Sequence, residues 1–312
     1  MTPYIGNGAY CYANSAAMLL AHHGYNISPG LLEVLSGVGL GAIYRRDPAE
    51  MFFSDPNGLP DAGIGKALEI LGFSCGGWPR LEEGAAVPFA ALENALRDGP
   101  VMIGPLDMGL LRYHPHWEWL GGADHYVLIT GLNDRVARLH DPDAVPCAVL
   151  PRGELAEAWR AEKVVFRSGA FQAWHSPRRA HTPTSAEIHE RARTYFRERC
   201  QGAAAAANDT ATAWGVAAIR ACGQRVREGD VPPPLHGMLI HFSLRLGARR
   251  ALDYAAFFAL FDAELARLKR EQADVFGLAH CAAVRKEWAR LADCFATLAE
   301  LEAPIHARLC AG

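Results

Sequence analysis

The sequence contains no CxxC pair, no alternation of Cys with His at zinc spacing, no internal repeat and no long apolar run. Its eight cysteines are scattered at 11, 75, 147, 200, 222, 281, 294 and 310. That pattern predicts no metal site, and no bound cofactor is expected. Thiols spread along apolar helical faces suit the reduced, buried cysteines of a cytosolic protein. No stretch approaches the roughly 18–20 apolar residues of a membrane helix. The N-terminus has neither the basic segment nor the apolar core of a signal peptide. The expectation is a soluble, cytoplasmic protein with no membrane partner. An excess of one charge is also missing: 31 Lys+Arg against 34 Asp+Glu give a net of −3. This argues against nucleic acid as the partner.

Apolar material is plentiful. Half of the 312 residues are hydrophobic and 21% are charged, enough for one large domain or two ordinary ones. The charge is unevenly placed. Residues 1–165 carry 11 basic and 19 acidic side chains (net −8), and the remainder carries 20 and 15 (net +5). Two domains with different jobs are expected.

Helical spacing runs from Tyr12 to His23, stopped by Gly24, and Ser28-Pro29 opens a second helix to about Leu35. Further helices are predicted from Asp61 to Leu71, Pro88 to Arg97 and Gly153 to Trp159. Strands are predicted at Pro100–Gly104, His125–Thr130, Val136–His140 and Lys163–Arg167, with a turn at Asn133-Asp134. A mixed linker follows, and Thr184 with Glu187 forms a capping box. Beyond it everything reads as helix, over about 185–200, 208–228, 235–247, 251–272 and 275–300. The Ala-rich segment Ala203–Ala207 is a helix-compatible joint. The predicted organisation is an α+β domain over 1–168, a linker over 169–184 and an all-helical domain over 185–312.

Three residues form a candidate constellation. Cys11 heads the first helix, where free N–H groups and the positive end of the dipole would stabilise a thiolate and lower its pKa. The Cys11 N–H could also meet a developing oxyanion. Taken alone, a cysteine is more often a buried small hydrophobe. His125 opens a strand and, alone, is more often a core histidine. Asp141 ends the returning strand of the same hairpin and can reach the imidazole, whereas alternation turns His140 to the other face. A thiol, a base and an orienting carboxylate in this order suit nucleophilic catalysis.

The run from Cys11 to Gly24 resembles the opening helix of papain-like proteins related to bacteriocin-processing cysteine peptidases, and more closely the butirosin biosynthesis protein H family. The likeness continues through Asn26-Ile27-Ser28, the Gly-rich Ser36–Tyr44 segment, Gly99-Pro100-Val101, Asp107, Tyr113, the His125 strand and Asp141-Pro142. It covers about residues 5–165, and the helical half matches the appended domain of such proteins. The resemblance implies a papain-like fold and an acyltransferase. An acyl group would pass from the phosphopantetheine thioester of an acyl carrier protein to Cys11, and then to the amine of a natural-product acceptor. Cys11 would be the nucleophile, His125 the general base and acid, and Asp141 the orienting residue. Peptidase relatives place a glutamine about six residues before the cysteine, where this sequence has Ile5. Asn7 is expected to stand in for it, with Tyr10 beside it. Asp107 and Tyr113 are expected to line the acceptor side.

Other features read more plainly. Gly37-Val38-Gly39-Leu40-Gly41 follows a helix and no strand, so it suits a wall of the active-site cleft better than a dinucleotide cradle. His114-Pro115-His116-Trp117 lacks the carboxylates of a metal site. His22 and His23 complement the end of the first helix. Trp117 and Trp119 suit a lid over the cleft or the core. His236, His241 and Arg245 are loosely spaced, and a basic helical surface would suit an acidic carrier protein. Two other readings stay open: a peptidase or amidase using the same three residues, and a silent domain that binds a carrier protein or peptide.

Overall fold

The computed structural model describes residues 2–78, 84–205 and 211–311. In chain order the elements are α1 (Cys11–His22), α2 (Pro29–Ser36), β1 (Ile43–Arg46), β2 (Ala49–Phe52), α3 (Pro60–Ile70), β3 (Phe73–Gly76), α4 (Phe89–Ala95) and β4 (Val101–Asp107). There follow β5 (Asp124–Leu132), β6 (Val136–Asp141), β7 (Val145–Pro151), α5 (Arg152–Arg160), β8 (Gln172–Arg179) and α6 (Ser185–Ala205). The chain closes with β9 (Thr212–Trp214), α7 (Gly215–Arg227), α8 (Pro233–Met238), a π turn (Leu239–Ser243), α9 (Leu244–Phe258), α10 (Ala263–Val284) and α11 (Trp288–Cys310). None of the described helices is long and apolar enough to cross a membrane.

The chain divides into two compact units, and the first comprises residues 1–36 and 59–184. Its centre is an antiparallel six-stranded sheet in the order β3-β8-β4-β5-β6-β7. Every residue of α1 from Tyr12 to Leu20 is buried. A helix covered on all sides cannot be sorted by amphipathicity, and burying Met18, Leu19 and Leu20 contributes about 1.5–3 kcal/mol each. One face of the sheet carries a second apolar cluster built on Val101, Val127, Ile129, Leu139, Trp159 and Phe171. The register pairs Leu128 with His140 and Ile129 with Leu139. By parity His125 and Asp141 then share the face of Val127 and Leu139. On the other side of β5 a bulge between Ile103 and Leu106 interrupts the pairing next to His125, the kind of irregularity that re-aims a side chain.

The second unit comprises residues 37–58 and 185–312. A small antiparallel sheet, β2-β1-β9, packs with helices α7–α11 around Met51, Phe53, Phe276, Phe295 and Leu298. The helical reading of the C-terminal half therefore needs a strand hairpin, residues 43–52, drawn from the N-terminal half.

This corrects several expectations. Residues 169–184 are not a linker, because β8 lies among them and pairs with both β3 and β4. Its sequence hides it: Pro177 breaks any strand pattern, and the structure accommodates it in a bulge between the Ser74–Arg178 and Gly76–His175 pairs. The Gly-rich segment after Ser36 belongs to the second unit. Lys163–Arg167 is no strand, and the chain beyond it is held by Ser168, whose N–H and Oγ donate to Asp61 Oδ2 at 2.7 and 2.6 Å. α6 begins one residue after Thr184, as the capping box predicts. Part of the Ala203–Ala207 joint and residues 208–210 of the helix predicted from 208 lie outside the described residues, and that helix begins only at Gly215 because residues 212–214 pair with β1 as β9. Among the helices that follow, the break predicted near Gly247 is absent. Gly247 lies inside α9, at a point where a Cβ would stand 2.7 Å from the Phe276 ring. The chain breaks instead before α10, where Asp262 caps the Leu265 N–H at 2.9 Å.

Candidate active site

Cys11 is the first residue of α1, and the turn that delivers it is held from inside the helix. Tyr10 takes the left-handed conformation, φ 56° and ψ 50°, which costs a non-glycine residue about 1–2 kcal/mol. Asn14, one turn further on, is 0% exposed, and a buried amide must find partners. It donates to the carbonyls of Ala9 and of Tyr10 (3.1 Å), and exchanges bonds of 3.2 and 3.3 Å with the Asn7 amide. Its partners are thus the residues that lead into Cys11. The same loop is tied to the Asp141 turn: Gly8 N donates to Pro142 O at 3.2 Å, and Tyr4 Oη donates to Asp141 O at 2.9 Å. Gly8 sits at φ +70°, open to glycine at little cost.

The next helical residue but three, Ser15, docks the helix on the strand that carries the histidine. Its hydroxyl donates to Tyr126 O at 3.0 Å, and the Tyr12 and Tyr126 rings meet edge-on at 5.9 Å. His125 Nε2 lies 2.7 Å from Asp141 Oδ1, and the imidazole and the Cys11 thiol act on each other: His125 pulls the thiol toward the thiolate and Cys11 pulls the imidazole toward its charged form. With Nε2 occupied by the carboxylate, Nδ1 is the nitrogen left for sulfur. Asp141 thus orients the imidazole, and a thiol, a base and a carboxylate are brought together in one place.

Asp141 is itself fully held. Oδ1 also accepts from Asp143 N at 2.7 Å, and Oδ2 accepts from Tyr113 Oη at 2.7 Å. Burial alone would raise its carboxyl, but the His125 charge and these donors hold it below the ordinary carboxylate value. Burial alone would lower His125, but the Asp141 charge and hydrogen bond carry the imidazole well above its ordinary value. Cys11 corrects an expectation. Desolvation pushes its thiol up, and this outweighs the pull of His125 and of the Tyr126 N–H toward the thiolate.

The remaining predicted site residues take other places. Tyr113 stands behind Asp141 as a hydrogen-bond donor and so holds the carboxylate from the side away from His125's bond. Asp107 is 3% exposed, and its Oδ1 accepts from Gly109 N and Gly122 N at 2.9 Å each. It closes a loop after β4 and does not line an open acceptor site. Tyr10 is 4% exposed and shapes the turn through its backbone. The Asn7 side chain is engaged with Asn14, so the Cys11 N–H at the helix start is the donor that remains from the predicted oxyanion site. His140 accepts from Cys147 N at 3.1 Å, away from Asp141's partners. His114 bonds Asp143 Oδ2 at 2.6 Å and accepts from His116 N at 3.2 Å, which uses both ring nitrogens within the loop. Trp119 is 86% exposed and is no part of the core.

Sequence reasoning missed Asn14, Ser15, Tyr4 and Tyr126. The first two carry a readable signal, adjacent polar residues in the middle of an apolar helix. The others act through backbone or hydroxyl contacts that no spacing announces.

Three comparisons bear on the chain. The family profile of the YobF C-terminal domain matches residues 192–310. A crystal structure of a protein described as a C39-like peptidase from Bacillus anthracis aligns with 57% of this chain and 96% of that one. Its TM-score is 0.38 and its identity 13%, too loose to carry an argument about activity. The Uncharacterized protein YobF of Bacillus subtilis (strain 168) is 37% identical over 302 residues, covering 97% of this chain and 96% of that protein. The chain therefore belongs to the YobF family.

Proposed function

We propose that the N-terminal unit is a papain-like, cysteine-dependent acyltransferase that moves an acyl group from a carrier-protein thioester to an amine through an acyl-Cys11 intermediate. The observation that carries the nucleophilic chemistry is the buried His125–Asp141 pair, 2.7 Å apart, with Cys11 at the head of a helix close enough for thiol and imidazole to act on each other's charge. The choice of thioester and amine rests on the sequence resemblance to the butirosin biosynthesis protein H family.

In this reading Cys11 attacks as the thiolate paired with the His125 imidazolium. Its sulfur bonds to the thioester carbonyl carbon, and the carbonyl electrons move onto oxygen beside the Cys11 N–H. As the tetrahedral species collapses, the bond to the pantetheine sulfur breaks and His125 gives that thiol its proton. The amine then attacks the acyl-cysteine, losing a proton to His125, and a C–N bond replaces the C–S bond. The net change is thioester plus amine to amide plus thiol. Asp141 keeps the imidazole oriented and charged through the cycle, and Tyr113 with the Asp143 N–H keeps Asp141 in place.

The test is incubation with a panel of short acyl-pantetheine thioesters, read by intact mass, with and without amines. An acyl adduct in the wild type, absent in Cys11→Ala, and an amide product on adding amine are expected. Free acid with no amide, or cleavage of peptides, would replace the transferase with a hydrolase. No adduct and no turnover across thioesters and peptides would leave a binding module.

A further inference from the structure

The helical unit holds a second concentration of reactive side chains, remote in sequence from the Cys11 constellation. Cys200 on α6 and His306 and Cys310 on α11 place one ligand atom each within 4.8 Å of the others. The Cys310 sulfur lies 3.6 and 3.7 Å from the two His306 ring nitrogens. A tetrahedral zinc ion with bonds of about 2.3 Å to sulfur and 2.0–2.1 Å to nitrogen holds its ligand atoms roughly 3.4–3.8 Å apart. The Cys310–His306 separation is therefore already of bonding size, with the Cys200 sulfur within 4.8 Å of both. All three side chains project from long helices: α6 spans 21 residues and α11 spans 23. His306 and Cys310 are i and i+4 on one face.

The surroundings suit an ion as well as the ligands do. Cys200 is buried, and none of the three residues is in a disulfide. Cys200 and His306 line a cavity of about 410 Å³. Glu302, one turn before His306 on the same helix face, lines it too. Its carboxylate is held by Gln272, which donates to Oε2 at 2.7 Å and accepts from Lys269 at 2.9 Å. Two thiolates and an imidazole are a soft donor set, and three protein ligands beside a cavity leave a fourth position for water or an exogenous ligand. Carboxylates are common outer partners of metal-bound imidazoles.

We propose that Cys200, His306 and Cys310 bind one thiophilic divalent transition-metal ion of the zinc class. On binding, two S–H bonds break, two metal–sulfur bonds form and two protons leave to solvent, while the imidazole binds neutral through one nitrogen. No spacing rule finds this site, because its two helices come from segments about a hundred residues apart.

The test uses untagged full-length protein, reduced and exchanged into chelator-treated buffer. Titration with Co²⁺ is expected to give thiolate-to-metal charge-transfer absorption and visible ligand-field bands that saturate at one equivalent, and Zn²⁺ is expected to bleach them. Zn²⁺ affinity, measured by competition with a chromogenic chelator, is expected to fall at least 100-fold in Cys200→Ser and His306→Ala. Cys281→Ser and Cys11→Ser, outside the cluster, are expected to bind normally. Zinc is also expected to raise the melting temperature of the wild type and of Cys11→Ser but not of Cys200→Ser, with circular dichroism showing that each variant is folded. Folded, reduced wild type that gives no cobalt bands and no zinc-dependent melting shift would overturn the proposal. So would a Cys200–Cys310 disulfide in the isolated protein, seen as two missing hydrogens in the intact mass, that re-forms in preference to metal binding.

Discussion

Asp141→Asn isolates the part played by a single charge. The carboxylate is 0% exposed and takes three hydrogen bonds of 2.7 Å each, from His125, Asp143 N and Tyr113. The amide keeps the volume but loses the charge and must turn a donor toward one of these donors. Breaking a buried ion pair by removing one partner costs about 3–5 kcal/mol. At about 2–4 °C per kcal/mol for a unit of this size, the melting temperature should fall by roughly 6–20 °C. The loss should depend on pH with a definite sign. His125 has its pKa raised from 6.5, so its contribution is full below that value and fades as pH rises through the folded-state value above it. Asp141 has its pKa lowered from 3.8, so its contribution is full above that value and fades as pH falls through the folded-state value below it. The stability gap between wild type and variant should therefore be widest between about pH 4 and 6.5. The chemistry should respond too. Without Asp141, burial lowers the imidazole, the thiol loses its cationic neighbour at neutral pH, and acyl transfer should slow about 10²–10⁴-fold. Melting curves across pH, and the rate of Cys11 alkylation by iodoacetamide at pH 7, measure both effects. Unchanged alkylation with unchanged melting would refute the reasoning.

Three further outcomes are expected. Tyr113→Phe removes the donor to Asp141 Oδ2, which should raise the carboxyl pKa and slow Cys11 alkylation by roughly tenfold, corresponding to about 1.4 kcal/mol. A rate equal to wild type would show that Tyr113 is not needed to hold Asp141. Asn14→Ala strips the turn before Cys11 of its buried amide and should cost about 1–3 kcal/mol in urea unfolding while slowing alkylation. Full stability with a normal rate would mean that the turn holds itself. Gly247→Ala drives a methyl group to within 2.7 Å of the Phe276 ring and should destabilise by about 1–3 kcal/mol, although alanine is the better helix former by about 1 kcal/mol. A more stable variant would show that Phe276 can move aside.

How much could be read along the chain differs from element to element. The helices α1 and α3 and the strands β5 and β6 were legible because period and turn chemistry coincide there. Strand β8 was not, since Pro177 and its charged neighbours are tolerated only by a bulge and two flanking strands. The helix boundary predicted at 247 is absent, and Gly247 is instead a contact point of two helices. In the candidate site, Cys11, His125 and Asp141 were legible as types in order. The actual duties of Tyr113 and Asp107 were not, because a hydroxyl or carboxylate near a site can face the substrate or the scaffold, and only neighbours from other segments decide which.

The sequence by itself determined that a thiol begins a helix, that a histidine and an aspartate begin and end one hairpin, and that the second half is dominated by helices. Local periodicity and turn residues suffice for such statements, since they involve neighbours in the chain. The tertiary structure alone decided that residues 37–58 join the helical unit, that β8 completes the main sheet and that Cys200 meets His306 and Cys310. It also decided that burial pushes the Cys11 thiol up despite its place at a helix start. Each of these depends on desolvation and on packing between distant segments, which are properties of the folded environment.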